Sequence, residues 1–223
     1  MKLYYHPAST TSRPVMLYIG ETGTEIEMEL VDIMTHANYD EYYTGINPNQ
    51  LVPALDDGDF RLTECSAILK YLAEKAGSSL YPTNLQARAR VNERMDWINT
   101  QMRRELNFCL VYPQLFDHIK MESAEGQSEK LRKGLDQSRR WMRVLNDDLL
   151  GANPYLCGSH MTIADFFGAS IVAMAEIFGG DFTPYPNVQA WLGRLKQLKS
   201  WPETFAPIEG FAASVRNPAM VVL

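Results

Sequence analysis

Four hydroxyl side chains stand together near the start of the chain, in the run Ser9-Thr10-Thr11-Ser12. They lie between a short β-prone stretch and a helical one, where a helix presents its unpaired N–H groups. A hydrolase triad is not indicated, because there is no Gly-x-Ser-x-Gly turn and the four histidines offer no obvious partner. A hydroxyl here could donate to an anion such as a thiolate, or it could only cap the helix, and the residues alone leave both open.

A proline opens a later strand, in Leu51-Val52-Pro53-Ala54. A cis Val52–Pro53 bond would turn the amide and carbonyl of Val52 outward, ready to pair with a peptide-like ligand. The tetrapeptide by itself favours the plainer interpretation, a trans proline at the edge of a sheet.

The segment Thr63-Glu64-Cys65-Ser66 follows a strand and opens a helix. Glu64 could accept from a ligand ammonium, while the backbone amides of Cys65 and Ser66 hold the carboxylate of the same ligand. Taken alone, the segment favours simple capping of its own helix by Thr63 or Glu64.

The elements that must position these residues alternate through the first eighty positions. β-prone runs, helical periodicity and a hairpin signal at Asp56-Asp57-Gly58-Asp59 predict the order βαβαββα. Beyond Tyr81-Pro82 the apolar spacing predicts long helices only, among them one over 163–174 that is apolar nearly all round. Thr162-Ile163-Ala164-Asp165 predicts a capping box before that helix, which is a structural motif. We therefore expect two domains, residues 1–80 and 86–223.

Composition limits the class of protein. The 223 residues carry a formal charge of −6, which disfavours nucleic acid as a partner, and no apolar run is long enough to span a bilayer. Three unpatterned cysteines indicate neither a disulfide framework nor a metal site, and they favour a reducing, cytoplasmic location.

These segments, in this order, resemble the cytosolic glutathione transferase family over essentially the whole chain. The resemblance rests on Pro7–Arg13, Asn47-Pro48 with Val52–Leu55, Glu64–Ile68, and Leu156-Cys157-Gly158 with Thr162–Asp165. It implies a thioredoxin-like domain followed by an all-helical bundle, and the first segment is most similar to the serine-type members (theta, delta, phi and bacterial relatives).

The resemblance also implies roles for individual residues. The family's hydroxyl falls at Ser9, which would donate to the glutathione sulfur and stabilise the thiolate, with Thr10, Thr11 and Ser12 as less favoured alternatives. Glutathione, the co-substrate, would be bound by Gln50, Val52, Pro53, Glu64, Cys65 and Ser66, with the bond before Pro53 in the cis form.

A second, apolar site for the electrophile is expected between the domains. Its candidate residues share a position near the Ser9 loop or on the first long helix, and each could equally be core: His6, Met102, Phe108, Tyr112 and Phe116.

Cys65 departs from the family pattern, which has serine or threonine there. The amide contact survives, but a thiol is a weaker donor, so we expect glutathione binding to be retained and loosened. Two hypotheses stay open for the thiol itself: a buried stand-in for serine, which is favoured, and a reactive group that forms a mixed disulfide with glutathione.

Two statements about function follow from the resemblance. The first is a glutathione S-transferase that conjugates a hydrophobic electrophile, as a homodimer; the alternative is a non-catalytic member that binds ligands or scaffolds a partner. Whether Ser9 lowers the pKa of the glutathione thiol separates the two.

Overall fold

The computed structural model describes residues 1–223 and begins with a four-stranded mixed sheet. The strands lie in the order β2-β1-β3-β4, with β1 parallel to β2 and the other pairs antiparallel. The hairpin predicted around Gly58 connects β3 to β4, as expected. Their bounds are Lys2–Tyr5 (β1), Glu27–Leu30 (β2), Ala54–Asp57 (β3) and Phe60–Thr63 (β4).

Three helices alternate with these strands, which confirms the predicted order βαβαββα. Pro14 occupies the first turn of the first helix, where its missing N–H leaves no helical hydrogen bond unmade. Gly23 ends that helix in the left-handed region, at φ 68°, where a side chain would be strained. The helices are Arg13–Thr22 (α1), Glu41–Ile46 (α2, preceded by a 3-10 turn at Ala37–Tyr39) and Cys65–Lys75 (α3).

The second part of the chain is entirely helical, as predicted. Two of its helices continue as π-type segments, over Ile98–Val111 and Val144–Leu150, which the apolar spacing did not indicate. The helices are Leu85–Trp97 (α4, continuing to Val111), Ala124–Arg143 (α5, continuing to Leu150), Ile163–Ile177 (α6), Pro186–Leu195 (α7) and Trp201–Val215 (α8). None of them is both long enough and apolar enough to cross a membrane. The change from α/β to all-α falls between α3 and α4, whereas the limits 1–80 and 86–223 stay a prediction.

The capping motif before α6 is present and extends further than predicted. The carboxylate of Asp165 accepts from the backbone N–H and the hydroxyl of Thr162, at 2.8 and 3.1 Å. It also accepts from the Leu156 N–H and the Trp191 indole N–H, both at 2.9 Å. A fully buried carboxylate with four donors therefore joins three segments of the helical part.

One hydrophobic core runs through both parts of the chain. Leu3, Leu17 and Ile68 belong to the same buried cluster as Phe166 and Trp191. Helix α1 packs against α6 within this cluster. The loop before α1, which carries the hydroxyl run, is therefore held against the helical part.

Candidate active site

Three of the predicted segments lie together at one end of the strands of the sheet. Tyr4, Ala54 and Thr63 form a row of paired residues across β1, β3 and β4. The hydroxyl loop follows β1, the proline segment precedes β3, and Glu64 follows β4. Because β3 runs antiparallel to both neighbours, the end of β1, the start of β3 and the end of β4 coincide.

The Ser9 hydroxyl lies within the turn that leads into α1. Its oxygen accepts from the backbone N–H of Thr11 at 3.3 Å and of Ser12 at 3.2 Å, and it lies 3.1 Å from the Thr11 hydroxyl oxygen. A hydroxyl oxygen that accepts two hydrogen bonds is polarised, and the hydroxyl becomes a stronger donor.

The direction of the Ser9–Thr11 hydrogen bond follows from counting protons. Thr11 donates its single hydroxyl proton to the Val52 carbonyl, at 2.9 Å. It therefore has none left for Ser9, so Ser9 is the donor in that pair. The Ser9 proton is thus the one that a ligand atom can receive after rotation of the hydroxyl.

The hydroxyl oxygens of Thr10 and Ser12 accept hydrogen bonds from other parts of the chain. Thr10 accepts from the Tyr112 hydroxyl at 2.6 Å. Ser12 is fully buried and accepts from the His6 N–H at 3.3 Å. Of the four hydroxyls, only that of Ser9 accepts from two backbone N–H groups, a difference that the sequence pattern could not show.

The bond between Val52 and Pro53 is cis, as the resemblance implies and contrary to the trans form that the tetrapeptide alone favoured. The Val52 carbonyl accepts from Thr11, whereas the Val52 N–H has no partner within the chain. One backbone donor of Val52 is thus open.

The N-terminus of α3 offers two more open donors. The N–H groups of Cys65 and Ser66 form no hydrogen bond within the chain, as expected of the first residues of a helix. Glu64 precedes them with an exposed side chain and a φ of 69°. Positive φ in a residue with a side chain is unfavourable and is concentrated at functional positions.

Gln50 is a second such residue, with φ 60°. It stands two positions before Val52, and its carbonyl is fixed by the Asn38 amide at 2.9 Å. Two of the three non-glycine residues with positive φ therefore belong to the predicted glutathione set.

The Cys65 side chain faces inward and is buried. This burial raises the pKa of its thiol well above the ordinary range, although the charge of Arg103 acts in the opposite direction. A neutral, inaccessible thiol matches the buried stand-in for serine and not the reactive group.

The predicted electrophile residues divide into two groups. Phe108, Tyr112 and Phe116 form a row of edge-to-face rings with centroids 5.1 and 5.7 Å apart. The Tyr112 hydroxyl donates to Thr10, so the row contacts the loop that contains Ser9. Met102, in contrast, is fully buried in the core, so its side chain lines no open surface.

His6 also lies apart from the aromatic row, in the turn between β1 and α1. Its Nδ1 accepts from the Ala8 N–H at 3.1 Å, and its Nε2 lies 3.6 Å from a carboxylate oxygen of Asp32. Burial lowers the pKa of His6, and the charge of Asp32 opposes that shift. The neutral ring is thus the form that fits this site.

Arg13 supports the Ser9 turn from inside the core, a contact that the sequence reasoning missed. It is fully buried, and its guanidinium donates to the Ala8 carbonyl at 2.8 Å and approaches the sulfur of Met174 at 3.0 Å. Burial lowers its pKa to about 10, so it stays charged at neutral pH. An arginine in the first turn of a helix, where a cation is unfavourable, was the available signal.

The arrangement can hold a peptide-like anion beside a hydroxyl donor. Open N–H groups at Val52, Cys65 and Ser66 and an exposed carboxylate at Glu64 surround the edge where Ser9 lies. No group of three or more His, Cys, Asp or Glu side chains is placed to hold a metal ion.

Comparison with known proteins gives consistent matches. The family models for the glutathione S-transferase N-terminal domain and C-terminal domain match residues 1–74 and 108–199. Human glutathione S-transferase theta-2B is 33% identical over 199 residues, which cover 88% of this chain and 80% of the relative. Human glutathione S-transferase theta-1 is 30% identical over 203 residues, covering 88% and 82%.

A solved structure is similar over the full fold. The crystal structure of human glutathione transferase theta-2, in complex with glutathione and an unknown ligand, superposes with a TM-score of 0.82 at 28% sequence identity. The match covers 99% of this chain and 92% of that one.

Proposed function

The chain belongs to the glutathione S-transferase family and is a transferase, and we propose that Ser9 stabilises the thiolate of bound glutathione for attack on an apolar electrophile. The observation that supports this proposal is the hydrogen bonding of the Ser9 hydroxyl. Two backbone N–H groups polarise it, and it donates to the Thr11 oxygen, a hydrogen bond that it can redirect to a sulfur anion by rotation about its C–O bond.

Glutathione is proposed to lie along the open backbone groups of the site. Its cysteinyl unit accepts a hydrogen bond from the free Val52 N–H beside Pro53. Its γ-glutamyl carboxylate accepts hydrogen bonds from the N–H groups of Cys65 and Ser66. Glu64 accepts from the γ-glutamyl ammonium, and Gln50 lies toward the glycyl end. The Cys65 thiol takes no part, because it is buried.

The thiolate is the reacting species. A free thiol of this type has a pKa of about 8.5, so only a few per cent is ionised at neutral pH. A hydrogen bond to a charged group contributes about 1.5–3 kcal/mol, which corresponds to about one to two units of pKa. Ser9 alone therefore accounts for an about ten- to hundredfold gain in thiolate population relative to thiol.

In the reaction, the glutathione S–H proton leaves to solvent and Ser9 donates to the sulfur anion. A sulfur lone pair then forms the C–S bond to the electrophilic carbon, and the electron pair of the broken bond leaves with the displaced group or moves to the adjacent atom. The row of Phe108, Tyr112 and Phe116 is proposed to bind the apolar body of the electrophile. We extend the proposal to a homodimer that removes such electrophiles in the cytoplasm.

The test is a titration of bound glutathione by the ultraviolet absorbance of its thiolate. We expect the pKa of the bound thiol to lie below its free value in the wild type and to rise by about one to two units in Ser9→Ala. Ser214→Ala, which removes an exposed hydroxyl in α8, is the matched control and should leave the titration unchanged. Glutathione that binds with an unshifted pKa would overturn the proposal in favour of a non-catalytic, ligand-binding member.

A further inference from the structure

Three hydrogen-bonding groups of His6, its N–H, its carbonyl and its ring Nδ1, are engaged in the turn that leads to Ser9. Its N–H donates to the Ser12 hydroxyl oxygen at 3.3 Å, and its carbonyl accepts from the Ser9 N–H at 3.0 Å. Its ring Nδ1 accepts from the Ala8 N–H at 3.1 Å. The side chain is thus a part of the turn and not a wall of the electrophile site.

The hydrogen bond from Ala8 fixes the protonation of the ring. A backbone N–H can only donate, so Nδ1 carries no proton and the ring proton is on Nε2. That Nε2 lies 3.6 Å from Asp32, the charged group that faces the ring, which comes from the segment after β2. The Ala8 N–H has no other partner within the chain.

Protonation of Nδ1 would place two donors against each other. The Ala8 N–H would lose its acceptor at a half-buried position, and an unpaired backbone donor is unfavourable there. The next peptide group joins Ala8 to Ser9. Its carbonyl accepts from the Arg13 guanidinium, and its N–H donates to the His6 carbonyl. A shift of Ala8 is therefore transmitted directly to Ser9.

We propose that His6 is a positioning residue that holds the Ser9 turn in its active form only while its imidazole is neutral, and that the charge of Asp32 raises the pH at which this hold is released. This inference rests on the proposed role of Ser9. It adds to that role a proton-dependent control located outside the glutathione site.

The direct test follows the Ala8 amide by NMR between pH 5 and pH 8, without glutathione. In the wild type we expect the Ala8 amide resonance to change with the same midpoint as the His6 ring, whose signals are identified by their loss in His6→Asn. In His6→Asn the side-chain oxygen stands where Nδ1 was and does not titrate, so the Ala8 resonance should stay constant. Asp32→Asn removes the opposite charge and should move the His6 midpoint to lower pH.

A kinetic test separates positioning from simple folding. When the pH is lowered past the pKa values of both the glutathione thiol and His6, log(kcat/KM) of the wild type should fall by about two per pH unit, because both groups become protonated. His6→Asn should fall with a slope of about one. His6→Leu has no acceptor and should lose at least about tenfold in kcat/KM at pH 7.5 relative to His6→Asn.

The outcomes are distinguishable. An Ala8 amide that does not respond to the titration of His6, a His6 ring that does not titrate in this range, or equal activity of His6→Leu and His6→Asn would each overturn the inference. Failure of the proposed function would appear instead as an unshifted thiol pKa in the wild type, and the amide measurement would still decide the role of His6.

Discussion

The hydroxyl of Tyr112 donates to the hydroxyl oxygen of Thr10 at 2.6 Å, across the boundary between the helical part and the α/β part. The same Thr10 oxygen lies 3.5 Å from a guanidinium nitrogen of Arg13. The residue next to Ser9 is therefore bonded to the aromatic row that we assign to the electrophile. Binding in one half of the site can thus affect the position of the nucleophile in the other.

A double-mutant cycle should detect this link. We expect Tyr112→Phe to lower the free energy of unfolding by about 1 kcal/mol, because it removes the hydroxyl and keeps the ring. Thr10→Val should cost a similar amount, and the two changes together should cost less than their sum by about 0.5–1.5 kcal/mol. The measurement is urea unfolding of the four proteins at one concentration. Strict additivity would show that the hydrogen bond contributes nothing.

The hydroxyl of Thr11 should matter for glutathione more than for the chemical step. It joins the Ser9 turn to the Val52 carbonyl at 2.9 Å, so it fixes the peptide beside the open Val52 N–H. We expect Thr11→Val to raise the KM for glutathione about three- to tenfold, the effect of one lost hydrogen bond, with a smaller change in kcat. Thr11→Ser retains the hydroxyl and serves as the control. A fall in kcat with an unchanged KM would contradict this assignment.

These contacts mark the boundary of what the sequence could predict. Ser9, Val52 and Glu64 each lie just outside the end of a strand or helix, and such positions follow from local patterns. The Thr11–Val52 and Tyr112–Thr10 hydrogen bonds join residues 41 and 102 positions apart, and no local pattern encodes them. The sequence left Met102 open between the electrophile site and the core, because helical spacing cannot separate a core face from a cleft, and the structure buries it in the core.

The Cys65 thiol should be unreactive in the folded protein. It is buried and neutral at physiological pH, so iodoacetamide at pH 7.5 should not label it until urea unfolds the chain. Cys109 and Cys157 are more exposed, and their peptides in the same digest provide the internal comparison. Incubation with oxidised glutathione should likewise add no mass at Cys65. An adduct that Cys65→Ser abolishes would restore the hypothesis of a reactive thiol that forms a mixed disulfide with glutathione.

Cys65→Ser tests the other consequence of the same geometry. The proposed contact to the γ-glutamyl carboxylate comes from the backbone N–H, which the substitution retains. We expect the Kd for glutathione, measured by calorimetry, to tighten by no more than about tenfold, the most that one added hydroxyl hydrogen bond would give. A larger gain would show that the thiol had been obstructing the site.

Asp165 should be the most sensitive of the acidic residues to a conservative change. Burial raises the pKa of its carboxyl, and the four hydrogen bonds that it accepts oppose this shift. In Asp165→Asn an NH2 group would face at least one of those donors, so we expect a loss of about 2–4 kcal/mol in the free energy of unfolding. Asp136→Asn, at an exposed ion pair with Arg132, should change the same quantity by less than about 0.5 kcal/mol. Equal effects of the two substitutions in urea unfolding would mean that the Asp165 network does not hold Leu156, α6 and α7 together.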